Sequence, residues 1–169
     1  MSASLKSMAL GDLEHELATT RRVLERIPDD RLDWRPHSKS MTMGQLAAHL
    51  AGLARWATAT LTLSELDFTS VPPPASLESR AATLAEFDAA VAELKTAMSE
   101  HASDSALAET WTGRRGDQVL LQLPRVALLR TMIVNHMVHH RGQLSVYLRL
   151  CDVSVPWIYG PSADESARS

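Results

Sequence analysis

The stretch from Leu129 to Leu150 has the spacing of a core-facing helical seam, yet its middle is polar. Leu129, Ile133, His136, His140, Gln143, Tyr147 and Leu150 recur at alternating steps of four and three. That period puts side chains on one face of a helix packed in a bundle. His136 and His140 stand four apart, so their imidazoles lie one above the other on that face. A buried polar group without a partner costs about 1–3 kcal/mol, and a small domain is stable by only about 5–15 kcal/mol. Two core histidines and a glutamine therefore require hydrogen-bond partners, water or a metal ion. A hydrogen-bonded core pair is the ordinary fate of such histidines, and HxxxH spacing alone does not decide the matter.

A third histidine shifts the balance toward metal. From Thr42 to Leu63 a second stripe runs through Leu46, His49, Leu53, Trp56 and Leu63, with Thr60 filling a gap. His49 holds a core slot there. Two helices contributing His49, His136 and His140 make a three-imidazole set of the kind that binds catalytic zinc with a fourth position open. Di-metal carboxylate bundles need inward glutamates at such slots, and none of the stripes supplies them. The expected site is mononuclear, holding one divalent ion. Imidazole suits zinc, nickel, iron or copper; zinc is the choice on availability, with nickel or iron as alternatives.

Two further segments share the helical period. One spans about Ser7 to Ile27, through Leu10, Leu13, Leu17, Thr20, Leu24 and Ile27, and ends at Pro28-Asp29-Asp30. The other is opened by Ser76 or Ser79, follows the extended Pro72-Pro73-Pro74 linker, and carries Leu77, Ala81, Leu84, Phe87, Val91, Leu94 and Met98 as far as His101. Thr42 is the expected N-cap of the second helix, and Pro124 opens the fourth. Four amphipathic helices with one core stripe each predict an all-α, four-helix bundle, a single domain over residues 1–169. The one non-helical element expected is a short β-hairpin before the last helix, with Gly113-Arg-Arg-Gly116 as its turn. The tail beyond Asp152 should be irregular.

Composition narrows the function classes. With a net charge of −3 and no basic cluster larger than Arg21-Arg22 or Arg114-Arg115, the chain lacks the concentrated positive patch of a nucleic-acid binder. No stretch approaches the ~18 consecutive apolar residues of a membrane span. The first residues carry no apolar segment of signal-peptide length, so the expected compartment is the cytoplasm. The one cysteine, Cys151, excludes an internal disulfide and reads as a packed thiol near a helix end.

Four segments resemble the DinB-like family, a group described as metal-dependent enzymes related to bacterial thiol S-transferases. They are Leu32-Asp33-Trp34-Arg35-Pro36, Thr42-Met-Gly-Gln-Leu-Ala-Ala-His49, His136-Met-Val-His-His140-Arg-Gly-Gln143 and Val155-Pro-Trp-Ile-Tyr159-Gly-Pro161. The resemblance implies a four-helix bundle, often a homodimer, with a divalent metal on three histidines. Carried over by position, those are His49, His136 and His140. His139, Arg141 and Gln143 become candidates for contacts around the metal or with substrate. His139 is off-register and expected to support or pack. Arg141 is either an ion-pair partner or an anion contact, and Gln143 a hydrogen-bonding neighbour. Trp34, Trp56, Tyr147 and Tyr159 are candidate pocket walls or packing residues, while His15, His37 and His101 belong to the surface.

The resemblance also implies a small-molecule substrate, a low-molecular-weight thiol in S-transfer. Activation of water for hydrolysis is an alternative, although Met137 stands where an HExxH motif has its glutamate. A non-enzymatic, metal-stabilised binding or dimerisation module is the other. No catalytic residue is assigned. Apolar residues beyond the stripes, such as Leu50, Leu61 and Val126, are expected to serve the dimer.

Overall fold

The computed structural model describes residues 4–72 and 77–165. The chain is mostly helical with a small three-stranded sheet, so the all-α expectation is corrected by the sheet. In order, the elements are α1 (Leu5–Leu10), α2 (Leu13–Leu24), a 3-10 turn (Asp29–Arg31), α3 (Met43–Thr62), β1 (Glu65–Asp67), α4 (Arg80–His101), α5 (Asp104–Ala108), β2 (Thr110–Arg115), β3 (Gln118–Pro124), α6 (Arg125–Leu128), a π-helical turn (Leu129–Val134) and α7 (Asn135–Leu150).

The four expected helices are recognisable, with interruptions. The first is broken at Gly11-Asp12 into α1 and α2, and the last begins as α6 and the π turn before becoming α7. α3 packs on α4 and α7, and α2 packs on the same pair. Consecutive α2 and α3 are thus both flanked by α4 and α7 around one core.

Both ends of α3 are pinned. At its start Thr42 and Gln45 form a reciprocal capping box. The Met43 and Gly44 amides, orphaned by the helix start, donate to the Trp34 and Leu32 carbonyls, both at 2.8 Å. The loop containing Leu32-Asp33-Trp34 therefore acts as a backbone cap. Trp34 also meets Tyr147 of α7 edge to face at 5.4 Å. At the other end buried Arg125 donates from Nη1 to the carbonyls of Thr60, Leu61 and Leu63, which the ending helix leaves without amide partners.

The third stripe meets the core as expected at Phe87 and Leu94, with Leu84, Val91 and Met98 half-buried against it, and the buried face extends beyond the stripe to neighbouring small residues. The buried residues of α4 are Thr83, Phe87, Ala90, Leu94 and Ala97, whereas Ala81 is exposed. Ser79 is the cap, its side chain accepting from the Ala82 amide. Ser76, Pro73 and Pro74 lie outside the described residues. Leu63 and Leu150, the last residues of two expected stripes, are exposed because their helices end there. Leu50 and Leu61 are core residues rather than surplus interface residues, leaving only half-buried Val126 of the three expected to serve a dimer.

The hairpin exists, but its turn is Gly116-Asp117, because Arg115 pairs with Gln118. Gly116 has φ +57°, a value that glycine adopts without strain. Gly113 is a strand residue. β1, unforeseen, pairs parallel to β2, giving the order β1-β2-β3. The sheet is held close at Gly113, where an added Cβ would lie 2.9 Å from the Phe68 ring and 3.1 Å from both Leu121 and Trp111. Gly113→Ala should lower stability by about 1–3 kcal/mol through overpacking, read as a shifted urea midpoint.

Candidate metal centre

His49, two turns into α3, and His136 and His140, near the start of α7, converge from facing helices. One ligand atom from each lies within 4.8 Å of the other two. His136 Nε2 is 3.2 Å from His49 Nε2 and 2.7 Å from His140 Nε2. Among the described residues this is the only group of three or more His, Cys, Asp or Glu close enough to share an ion. No carboxylate belongs to it. Met137, at the position of the missing HExxH glutamate, is fully buried in the core.

The outer ring nitrogens decide what the inner ones can do. His136 Nδ1 lies 3.2 Å from the Met132 carbonyl, which can only accept, so Nδ1 carries the proton and Nε2 a lone pair. His140 Nδ1 sits 2.6 Å from Gln143 Oε1, which places its proton on Nδ1 in the same way. Two lone pairs then face each other at 2.7 Å. Without a cation between them this contact is repulsive.

Protonating the cluster is a poor remedy. Burial, followed by the charges of His140 and His136, pushes His49 down to about 4. Burial also lowers His136 and His140, and the bonds from Met132 and Gln143 only partly oppose it. Three neutral imidazoles at a common point, two of them with inward lone pairs fixed by their outer partners, make a donor set suited to a divalent ion. Nitrogens bound tetrahedrally at 2.0–2.1 Å would be about 3.3 Å apart. The His49–His136 separation already matches, and His140 has to move outward by roughly half an ångström to satisfy the same geometry. The residues fit a metal ion.

The surrounding candidates divide. Gln143 is beside the site as expected. His139 is exposed, its ring centroid 4.8 Å from that of His140. Arg141 is fully buried and paired with Glu16 of α2 at 2.6 Å. Trp56 stands edge-on to His136 at 6.2 Å and to Phe68 at 5.8 Å, so it walls one side. Trp34 and Tyr147 pack together at the start of α3, and Tyr159 engages Arg141 and Glu16. His15, His37 and His101 are on the surface.

Sequence reasoning missed Met132, Phe68 and the π turn that precedes His136. The turn is marked by the Asn135 amide reaching the Arg130 carbonyl five residues back. Such wide turns are frequent at functional sites, but no residue type announces one. Glu16 had a weak signal, standing four residues from Thr20 on the same face of α2.

The depressed histidines make stability depend on pH with a definite sign. Their unfolded value is near 6.5, and the folded chain resists protonation, so protons favour the unfolded chain. Metal-free protein should be fully stable above about pH 6.5 and lose stability as pH falls toward the His49 value of about 4. Chemical denaturation across that window should show a decline that His49→Gln flattens.

The chain resembles known proteins along nearly its whole length. It is 28% identical over 157 residues to the uncharacterized protein YrdA of Bacillus subtilis, covering 92% of this chain and 88% of that protein. The crystal structure of a DinB-like protein from Bacillus cereus superposes with a TM-score of 0.70 at 20% identity, over 89% of this chain and 95% of the other. A mycothiol-dependent maleylpyruvate isomerase superposes with a TM-score of 0.57 at 17% identity, covering 85% of this chain and 63% of that one. The model of the DinB family matches residues 1–169. The chain belongs to the DinB family.

Proposed function

We propose that this chain is a metal-dependent enzyme whose His49, His136 and His140 hold one divalent ion, zinc by availability, for chemistry on a low-molecular-weight thiol. The observation that carries the reading is the convergence of three neutral imidazole nitrogens with no carboxylate among them. When bound, the ion supplies Lewis acidity undiminished by any anionic protein ligand, which favours deprotonation of a thiol or a water. The thiol is preferred because a structural neighbour is a mycothiol-dependent isomerase.

The chain's own residues have separable tasks. The Met132 carbonyl and Gln143 hold protons on the outer nitrogens of His136 and His140, leaving the inner nitrogens free to donate. Trp56, with Phe68 against it, covers the site on the His136 side. No side chain in the cluster is a carboxylate base, so a proton released by the substrate would pass to solvent. Hydrolysis and a purely structural metal are the competing readings.

Protein purified without nickel affinity chromatography should contain about one divalent ion per chain. His136→Ala should remove it, and full occupancy in a variant lacking all three histidines would refute the assignment. Gln143→Leu should weaken metal binding by about 10–100-fold, the usual effect of losing an outer partner. With cobalt in place, added thiol should produce a sulfur-to-metal charge-transfer band that is unaffected by Cys151→Ser. A response to azide but not to thiol would favour hydrolysis, and a response to neither would make the metal structural.

A further inference from the structure

Immediately after His140, Arg141 points into a different environment. Its side chain is 0% exposed, and it is tied to three residues from two other parts of the chain. Nη1 donates to the Glu16 carbonyl at 3.0 Å and to Thr20 Oγ1 at 3.3 Å, both on α2. Nη2 donates to Glu16 Oε2 at 2.6 Å and to the Tyr159 hydroxyl at 2.7 Å. That hydroxyl donates in turn to the Glu16 carboxylate at 3.0 Å, closing a three-membered network. The guanidinium also lies 5.1 Å from the Tyr159 ring centre.

Tyr159 comes from the tail after α7, which is itself fastened down. Asp164 pairs with Arg149 of α7 and accepts from the Val155 amide. Glu165 pairs with Arg26, just past α2, and accepts from the Trp157 amide. The tail thus delivers a hydroxyl to a buried ion pair between α2 and α7.

We propose that Glu16, Arg141 and Tyr159 are positioning residues for the metal centre, holding α7 in the one rotation and register that aims His136 and His140 at His49. The inference rests on the metal-binding reading above. A buried ion pair adds little net stability relative to apolar residues of similar volume, and register is its best-attested use. Successive helical residues diverge by about 100°, so a contact holding Arg141 against α2 also sets the direction of His140 toward α3. Apolar packing alone tolerates small rotations and slides of α7. A carboxylate, a guanidinium and a hydroxyl within 3.0 Å of one another do not.

The test separates positioning from stability. Glu16→Leu combined with Arg141→Met replaces the pair by apolar side chains and should fold cooperatively. Its zinc affinity, measured by competition with a chromogenic chelator, should still drop by about tenfold or more, the range seen for outer partners of metal ligands. In metal-free protein the ¹⁵N imidazole signals of His136 and His140 should move. Phe87→Leu, which loosens the core on α4, should lower stability while leaving those signals in place. A folded double variant with wild-type affinity and unmoved signals would overturn the proposal, as would equal movement in Phe87→Leu. If the double variant does not fold, Tyr159→Phe decides by the same readouts, with a smaller loss in the same direction expected and no change overturning the proposal. If wild-type protein takes up no metal, the functional reading fails, and the imidazole signals still decide whether the network positions the histidines.

Discussion

α7 has to satisfy polar groups on two sides at once, and the arrangement of the other helices follows from how it does so. One side carries His136 and His140 toward α3. The adjacent side carries Arg141 toward Glu16 of α2, with both charged groups out of water. Removing one partner of such a pair costs about 3–5 kcal/mol, a large share of a small domain's stability. Rotating the helix by a single position would incur that cost and would also turn the histidines away from His49. The apolar core favours compactness, and these polar contacts choose one compact arrangement among many.

α3 provides the opposing ligand, and its position is set at its ends rather than along its length. The Leu32 and Trp34 carbonyls take the first amides and Arg125 takes the last carbonyls. Because the Arg125 guanidinium leads straight into α6, the π turn and α7, the two ligand-bearing helices are tied together at one end. At the other end Tyr147 of α7 donates to the Met41 carbonyl ahead of α3. The small sheet occupies the flank, where Phe68 backs Trp56 beside His136. Its closeness depends on Gly113 having no side chain.

Legibility in the sequence varied with the strength of the local signal. The Thr42 N-cap, a serine start for α4 at Ser76 or Ser79, and the α3 and α7 seams could be read because each depends on residues within one or two turns. The full width of the buried face of α4 was not legible, because alanines at positions 81, 82, 85, 89, 90, 92 and 97 give no contrast that would single out Ala90 and Ala97 as buried and Ala81 as exposed. The hairpin turn was placed three residues early because Gly113 looks like a turn residue, and only the crowding around it explains its presence in a strand. β1 has three residues, two of them acidic, and becomes a strand only through its partner Thr112–Arg114.

From the sequence alone came the helical class, the isolation of three histidines on two core-facing stripes, and the absence of inward carboxylates near them. These depend on period and residue type, which the linear order carries in full. Tertiary structure decided which nitrogen of His136 and of His140 faces inward, because that depends on the Met132 carbonyl within the π turn and on the Gln143 side chain. It also gave Arg141 its ion-pair partner. Its partners Glu16 and Tyr159 lie 125 and 18 residues away, and nothing local distinguishes a guanidinium that will be buried from one that will meet a ligand. Only the packing of α2 and the returning tail against α7 brings those groups within hydrogen-bonding distance.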